Sequence, residues 1–294
     1  MMSLLALLAF APAPVHAAAG ASAFLEVLPG GARWRGMGGA ARAVATDADA
    51  GFWNPAGLAR SGPEVWQAAA MLETGAPQGT IASLAGSWLT DAAGTWGAAW
   101  ARRFGGGFER VDGLGTVVGT REDDAEDALL VSWARDVVYQ LRAGVTVKGL
   151  RQRLFDFTAG GAALDLGATA QPWLAQPFVC SVTVENAASV LAWSTGARDR
   201  LDRGLALGLA WRGWRSRLLV AADAVVREGA PAVGVHAGAE ARVLPVAAVR
   251  GGWDDGAPAA GATYELGPYA LDYAWTAGRR GLAARHQASF RLRF

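Results

Sequence analysis

The chain has 294 residues, of which 52% are hydrophobic and 18% charged, and a formal net charge of +1. With no basic stripe or cluster, that balance excludes nucleic acid as a partner. No apolar run of roughly 18 residues follows the N-terminus, which excludes a helical membrane protein, and the lone cysteine, Cys180, excludes an intramolecular disulfide.

Met1–Ala17 reads as a secretory signal: Leu4–Phe10 is apolar, Pro12 and Pro14 break the run, and Val15 and Ala17 occupy positions −3 and −1 of a cleavage site. The next stretch, 18–62, shows no alternation. Within it, Asn54 is suited to cap a helix that opens on Pro55 and Ala56. Gly36, Gly38 and Gly39 allow close backbone approach or positive φ. A segment of this length has no core of its own.

From about residue 64 the pattern changes to period two, the spacing that sends successive side chains to opposite faces of a strand. About fourteen strands are predicted, over 64–72, 79–89, 94–104, 126–136, 138–150, 158–170, 177–187, 203–213, 217–227, 233–243, 246–253, 257–266, 268–275 and 284–294. Each is near the roughly 9–11 residues that a tilted membrane strand needs. Short links (90–93, 137, 171–176, 214–216, 244–245, 267) alternate with longer ones (104–125, 151–157, 188–202, 254–256, 276–283), as periplasmic turns alternate with extracellular loops in outer-membrane barrels. The fold class expected is all-β: a transmembrane antiparallel β-barrel of about fourteen strands over 63–294, with the partly helical segment 18–62 as a hatch in its lumen. Fourteen strands enclose more space than wall side chains alone fill, and the segment supplies the filling.

Alternation also assigns the faces. Leu205, Leu207, Leu209 and Trp211 point to lipid, as do Val233, Val235, Ala237, Ala239 and Val243, and Tyr269, Leu271, Tyr273 and Trp275. Trp88, Trp100, Trp133, Trp211, Trp253 and Trp275 are placed near strand ends, in interfacial girdles. Glu185, Asp223, His236, Glu240, Arg242, Asp272, Arg285, Arg291 and Arg293 point into the lumen, where ion pairs satisfy them. Asp47, Asp49, Asn54 and Pro55 of the hatch are expected to meet such wall residues, Arg291 or Arg242 for example. Asp123, Asp124, Glu126 and Asp127 form an acidic run at one rim, read as a solvated loop. The chain ends A-S-F-R-L-R-F, with Ala288, Phe290, Leu292 and Phe294 on the lipid face.

No catalytic, cofactor or metal set is readable. His236 and His286 lack ligand spacing, and no nucleophile motif or phosphate loop occurs.

The hatch sequence G-M-G-G-A-A-R-A-V-A-T-D-A-D-A-G-F-W-N-P-A-G-L, Gly36–Leu58, resembles the N-terminal hatch of the PorV/PorQ family of outer-membrane proteins, itself similar to the FadL long-chain fatty-acid transporters. Gly36, Met37, Gly38, Gly39, Asp47, Asp49, Trp53, Asn54, Pro55, Ala56 and Gly57 carry the match. V-E-N-A-A at 184–188, G-A-E at 238–240, R-G-G-W at 250–253, L-D-Y-A-W at 271–275 and H-Q-A-S-F at 286–290 follow the family layout. The resemblance implies a non-enzymatic barrel in the outer membrane of a diderm bacterium, surrounded by outer-membrane lipid. It implies that Phe294 is the signal read by the barrel assembly machinery. It implies a role in protein export or surface attachment of the type IX kind, with a larger secretion translocon or exported proteins as partners. The alternative is a FadL-like channel whose partner is a hydrophobic small molecule.

Overall fold

The computed structural model describes residues 23–26, 28–59, 65–76, 79–90, 94–105, 108–121, 124–171, 177–230, 232–278 and 283–294. The expected signal, both ends of the expected hatch and Asp123 lie outside them. The N-terminal part holds two short helices, α1 (Ala23–Glu26) and α2 (Ala32–Gly36), and two 3-10 turns, Ala48–Phe52 and Pro55–Leu58. The strands follow as β1 (Trp66–Ala76), β2 (Gly79–Thr90), β3 (Gly94–Phe104), β4 (Phe108–Val111), β5 (Val117–Arg121), β6 (Asp124–Val138), β7 (Leu141–Leu154), β8 (Phe157–Ala170) and β9 (Phe178–Trp193). They continue as β10 (Arg198–Asp199), β11 (Gly204–Gly213), β12 (Leu218–Arg227), β13 (Gly234–Leu244), β14 (Ala247–Asp254), β15 (Ala257–Leu266), β16 (Tyr269–Thr276) and β17 (Arg285–Arg293).

Fourteen of these close into one antiparallel barrel, in which sequence neighbours pair throughout. The seam joins β17 to β1 through eight residue pairs, from Gln67↔Arg293 to Thr74↔His286, and Trp66 exchanges backbone hydrogen bonds with Phe294. Closure removes both sheet edges. Both ends of the wall sequence lie at one rim, called here the near rim.

The structure corrects two of the expected long links. The 151–157 link is a two-residue turn, because β7 runs to Leu154, β8 starts at Phe157, and Phe155 takes a left-handed φ of 54°. In the 188–202 link, β9 continues to Trp193 and the chain folds back through β10. The 104–125 link carries a separate hairpin, β4–β5. Composition hid these features: Arg151, Gln152 and Arg153 read as loop residues, yet their backbone stays in register with β6 and β8.

The exterior is apolar, with Leu207, Leu209, Val235, Val243, Leu271 and Tyr273 exposed as alternation requires. Near the terminal rim, Trp66, Trp88, Trp96 and Trp133 occupy one cross-strand row over β1, β2, β3 and β6, with Trp66 and Trp88 stacked at 5.9 Å. Trp100 departs from the girdle expectation: it pairs with Leu84 and Leu129 at the middle of β3.

The lumen is filled. Residues 28–59 thread through it and are almost all buried. Gly38 (φ 70°) and Gly39 (φ 78°) turn this segment where it passes the wall, and a Cβ on Gly38 would lie 2.5 Å from the Trp253 backbone. Only glycine fits there.

Candidate functional site

At the interface between the luminal segment and the wall, buried charge and buried apolar surface converge. Its two sides differ in chemistry.

Over β12–β17 the wall is ionic. Arg33 of α2 forks onto Glu240, with Nε 3.0 Å from Oε2 and Nη2 2.7 Å from Oε1. Arg250 donates to the same Glu240 at 3.1 Å and, with Thr263, reaches Asp272. Arg291 grips Asp272 at 2.5 and 3.0 Å and turns its other nitrogen to Asp47 at 3.2 Å. Arg293 also reaches Asp47, at 2.9 Å, and Arg33 does so at 3.4 Å. The pairs therefore form a closed ring that ties two parts of the segment to four strands.

A second anchor sits beside it. Asp223 of β12 accepts backbone N–H bonds from Ala41 and Arg42 at 2.9 and 3.0 Å. Arg42 pairs with Glu185 at 2.5 Å, and Arg227 holds the other Glu185 oxygen at 2.7 Å. Ser289 accepts from the Ala32 amide at 2.7 Å. Toward the far rim, His236 Nδ1 lies 3.0 Å from both Gly38 O and Asp254 Oδ1, and Asp254 holds Arg285 at 2.6 Å.

Burial works against ionising Asp47, but Arg291, Arg33 and Arg293 outweigh it and hold its carboxyl well below the usual range. Asp49 has the opposite setting. Its Oδ2 accepts the Gly31 amide at 2.6 Å while Oδ1 is buried without a partner, and burial together with the Asp47 carboxylate pushes it up to about 6.

Over β1–β9 the wall carries a mainly apolar band instead. Ala69, Ala85, Ala99 and Leu130 form one inward row, with Met71, Ala101, Ala128 and Leu150 in the next. Phe24, Leu25, Leu28, Ala48 and Phe52 of the N-terminal segment pack against it. Small wall residues leave room, and these larger side chains occupy it. Polar contacts flank the band: Asn54 donates to Thr169 and to the Arg42 carbonyl at 3.2 and 2.9 Å, and Lys148 pairs with Asp165 at 2.7 Å.

The structure thus joins Asp47 to Arg291 and Arg293, and it places Glu185, Asp223, His236, Glu240, Asp272 and Arg285 on the luminal side. Arg242 is different. It sits at the near rim, paired with Glu265 at 2.7 Å, and does not meet the segment. Asn54 caps its turn by accepting from Ala56 N at 3.0 Å, but the turn is a single 3-10 turn and not the start of an α-helix. Pro55 and Ala56 press on Gly144, and Gly57 on Ala45, so closely that a Cβ would not fit. Trp53 is covered by the Arg35 guanidinium, 5.0 Å from its ring. Of the acidic run, Asp124 and Glu126 turn inward to Arg103 while Asp127 faces outward. Sequence reasoning missed Arg33, Arg42, Arg250 and Lys148. Alternation places Arg250 and Lys148 inward, and the segment's few arginines were the available partners for an acidic wall.

No family model matches the chain, and no curated protein matches it. Solved structures do. The Pseudomonas putida toluene transporter TodX aligns with TM-score 0.62 at 14% identity, over 91% of this chain and 99% of that one. The likeness is one of barrel fold. The CymD monoaromatic hydrocarbon channel aligns with TM-score 0.60 at 13% identity, over 91% and 98%. A Pseudomonas aeruginosa FadL homologue aligns with TM-score 0.60 at 10% identity, over 91% and 99%. The likeness is to FadL-type barrels; nothing in the comparisons singles out PorV/PorQ proteins.

Proposed function

We propose that this protein is a non-enzymatic outer-membrane barrel that passes hydrophobic small molecules, so that the channel reading supersedes export. The observation that carries it is the inward apolar band of β1–β9 covered by Phe24, Leu25, Leu28 and Phe52. The chain's own side chains occupy a surface suited to an apolar solute, and mainly apolar walls with few polar groups are the usual form of a small-molecule site. The ionic wall opposite anchors the segment, so Phe24, Leu25 and Leu28 leave the band more easily than residues 31–47 leave the ring. The named neighbours, a toluene transporter and a monoaromatic hydrocarbon channel, support this class of solute. For export, the PorV/PorQ resemblance remains the sole support.

Toluene entry into liposomes carrying the full-length protein tests the reading. Entry above that of protein-free liposomes, abolished by Ala99→Arg on the band, is the expected result. No toluene entry, together with a stable complex with another large outer-membrane protein, would return the function to export.

A further inference from the structure

Among the described residues, outward-facing barrel positions are almost all apolar, and the charged ones other than Arg135 of β6 gather in one place. The register of β3, β6 and β7 sets Arg102, Asp127 and Arg151 side by side in one outward row, Arg102↔Asp127↔Arg151. Arg153 follows two residues farther toward the far rim, and both Arg151 and Arg153 are exposed. Asp127 answers Arg102 at 3.6 Å and also accepts from Trp100 Nε1 at 3.2 Å. Arg151 makes no ion pair or hydrogen bond among the described residues. On β12 and β16 the corresponding outward residues, such as Val220, Val226, Leu271 and Tyr273, carry no charge. Charge on a lipid-facing wall is unfavourable, less so toward the interface, and a guanidinium there calls for an anion.

Directly below this row, toward the near rim, the wall is grooved. Ala68, Ala70, Gly86 and Ala98 form a floor of small residues, Trp100 and Phe290 rise beside it, and the cavity measures about 520 Å³ with almost wholly apolar lining. Ala70, Leu84, Trp100 and Leu129 make one cross-strand row, and the next row toward the far rim holds Arg102 and Asp127. Apolar groove and arginine row are therefore contiguous on one face, in the order in which a lipid presents chain and headgroup.

We propose that this face binds a phosphate-bearing lipid of the surrounding leaflet, its headgroup phosphate held by Arg102 and Arg151 and one acyl chain lying in the groove. The proposal rests on the membrane placement argued above and is independent of what the lumen passes. Guanidinium groups suit phosphate because their N–H donors match its oxygens in pairs. A row of such donors at a bilayer surface favours anionic over zwitterionic headgroups. Asp127 competes with the phosphate for Arg102, so it tempers affinity.

Native mass spectrometry of the full-length protein, released from detergent after titration with phosphatidylglycerol or phosphatidylcholine, tests this. Wild type is expected to retain phosphatidylglycerol about tenfold more than phosphatidylcholine, a difference of the size charge-assisted contacts supply. Arg102→Gln/Arg151→Gln should bring the two lipids to parity, whereas the matching double lysine variant keeps most of the preference. Asp127→Asn should strengthen it. Ala98→Phe, which fills the groove, should reduce retention of both lipids. Equal retention by wild type overturns the proposal, as does a preference that survives in the double glutamine variant. Displacement of phosphatidylglycerol by millimolar inorganic phosphate overturns the groove's part. Heat-modifiable gel migration establishes for each variant that the barrel is formed. A protein that stays monodisperse without detergent would sink the membrane placement itself, a separate outcome.

Discussion

The two sides of the lumen solve one packing problem by different physics. Over β12–β17 the segment is held by directional, mutually dependent ion pairs, from Arg33–Glu240 to Asp47–Arg291. Over β1–β9 it rests on non-directional contact between alanine-rich wall rows and Phe24, Leu25 and Leu28. Ionic anchors resist displacement steeply, since separating one partner strands the other in a dry interior. Apolar contact yields gradually, and an apolar solute replaces it with little loss. A lumen divided in this way has an ionically pinned side and a side held mainly by apolar contact, and the proposed passage of a solute uses the second.

Removing the segment should have the largest effect. A barrel lacking residues 18–60 is expected to insert and to carry a continuous ionic current in planar bilayers, while the full-length protein stays closed. Equal low conductance in both would mean that the segment does not seal the lumen.

Next come the anchors. Asp223→Ala removes the acceptor for two buried amides and one of the two carboxylates that hold Arg42, and each amide left unsatisfied costs about 1–3 kcal/mol. The variant should leak ions and unfold at lower temperature on heated gels. A closed, undiminished barrel would remove the distinction between the two sides. On the other side, Leu25→Ala should cost less, about 2–3 kcal/mol at the low end for a core truncation. It should speed toluene entry without opening an ion path. Ion leakage as large as that of Asp223→Ala would show the apolar contacts to be anchors as well.

The smallest effect concerns pH. Asp49 moves from an ordinary 3.8 to about 6 when docked, so the docked segment keeps a proton that the undocked one has lost. Docking is then strongest below about 4, weakens as pH rises to about 6, and is level above that. Asp47, held low, acts in the opposite sense and contributes until much lower pH. Leakage from proteoliposomes should therefore rise slightly between pH 4 and 6, and Asp49→Asn should flatten that rise. An unchanged slope in Asp49→Asn would assign it elsewhere.

Strand positions and facing were legible because a two-residue period is local: Leu205–Trp211 and Tyr269–Trp275 declare their outer faces without reference to any partner. The fourteen-strand count and the inward setting of Asp272 and Arg291 followed from the same rule. The candidate site was legible only in part. Alternation points Glu240 inward, but it does not say that the charge meeting it is Arg33, 207 residues away, or that Arg242, two positions along the same strand, ends at the rim.

The sequence by itself determined the wall, since side-chain period, strand length and turn residues are short-range properties of an extended chain. The tertiary structure alone decided which half of the lumen is ionic and which apolar, and that Arg102, Asp127 and Arg151 share a row above a groove. Those outcomes depend on barrel closure and strand register, which bring together side chains with no relation along the chain. Pairing energies across such distances are set by the whole closed sheet and by the segment that fills it.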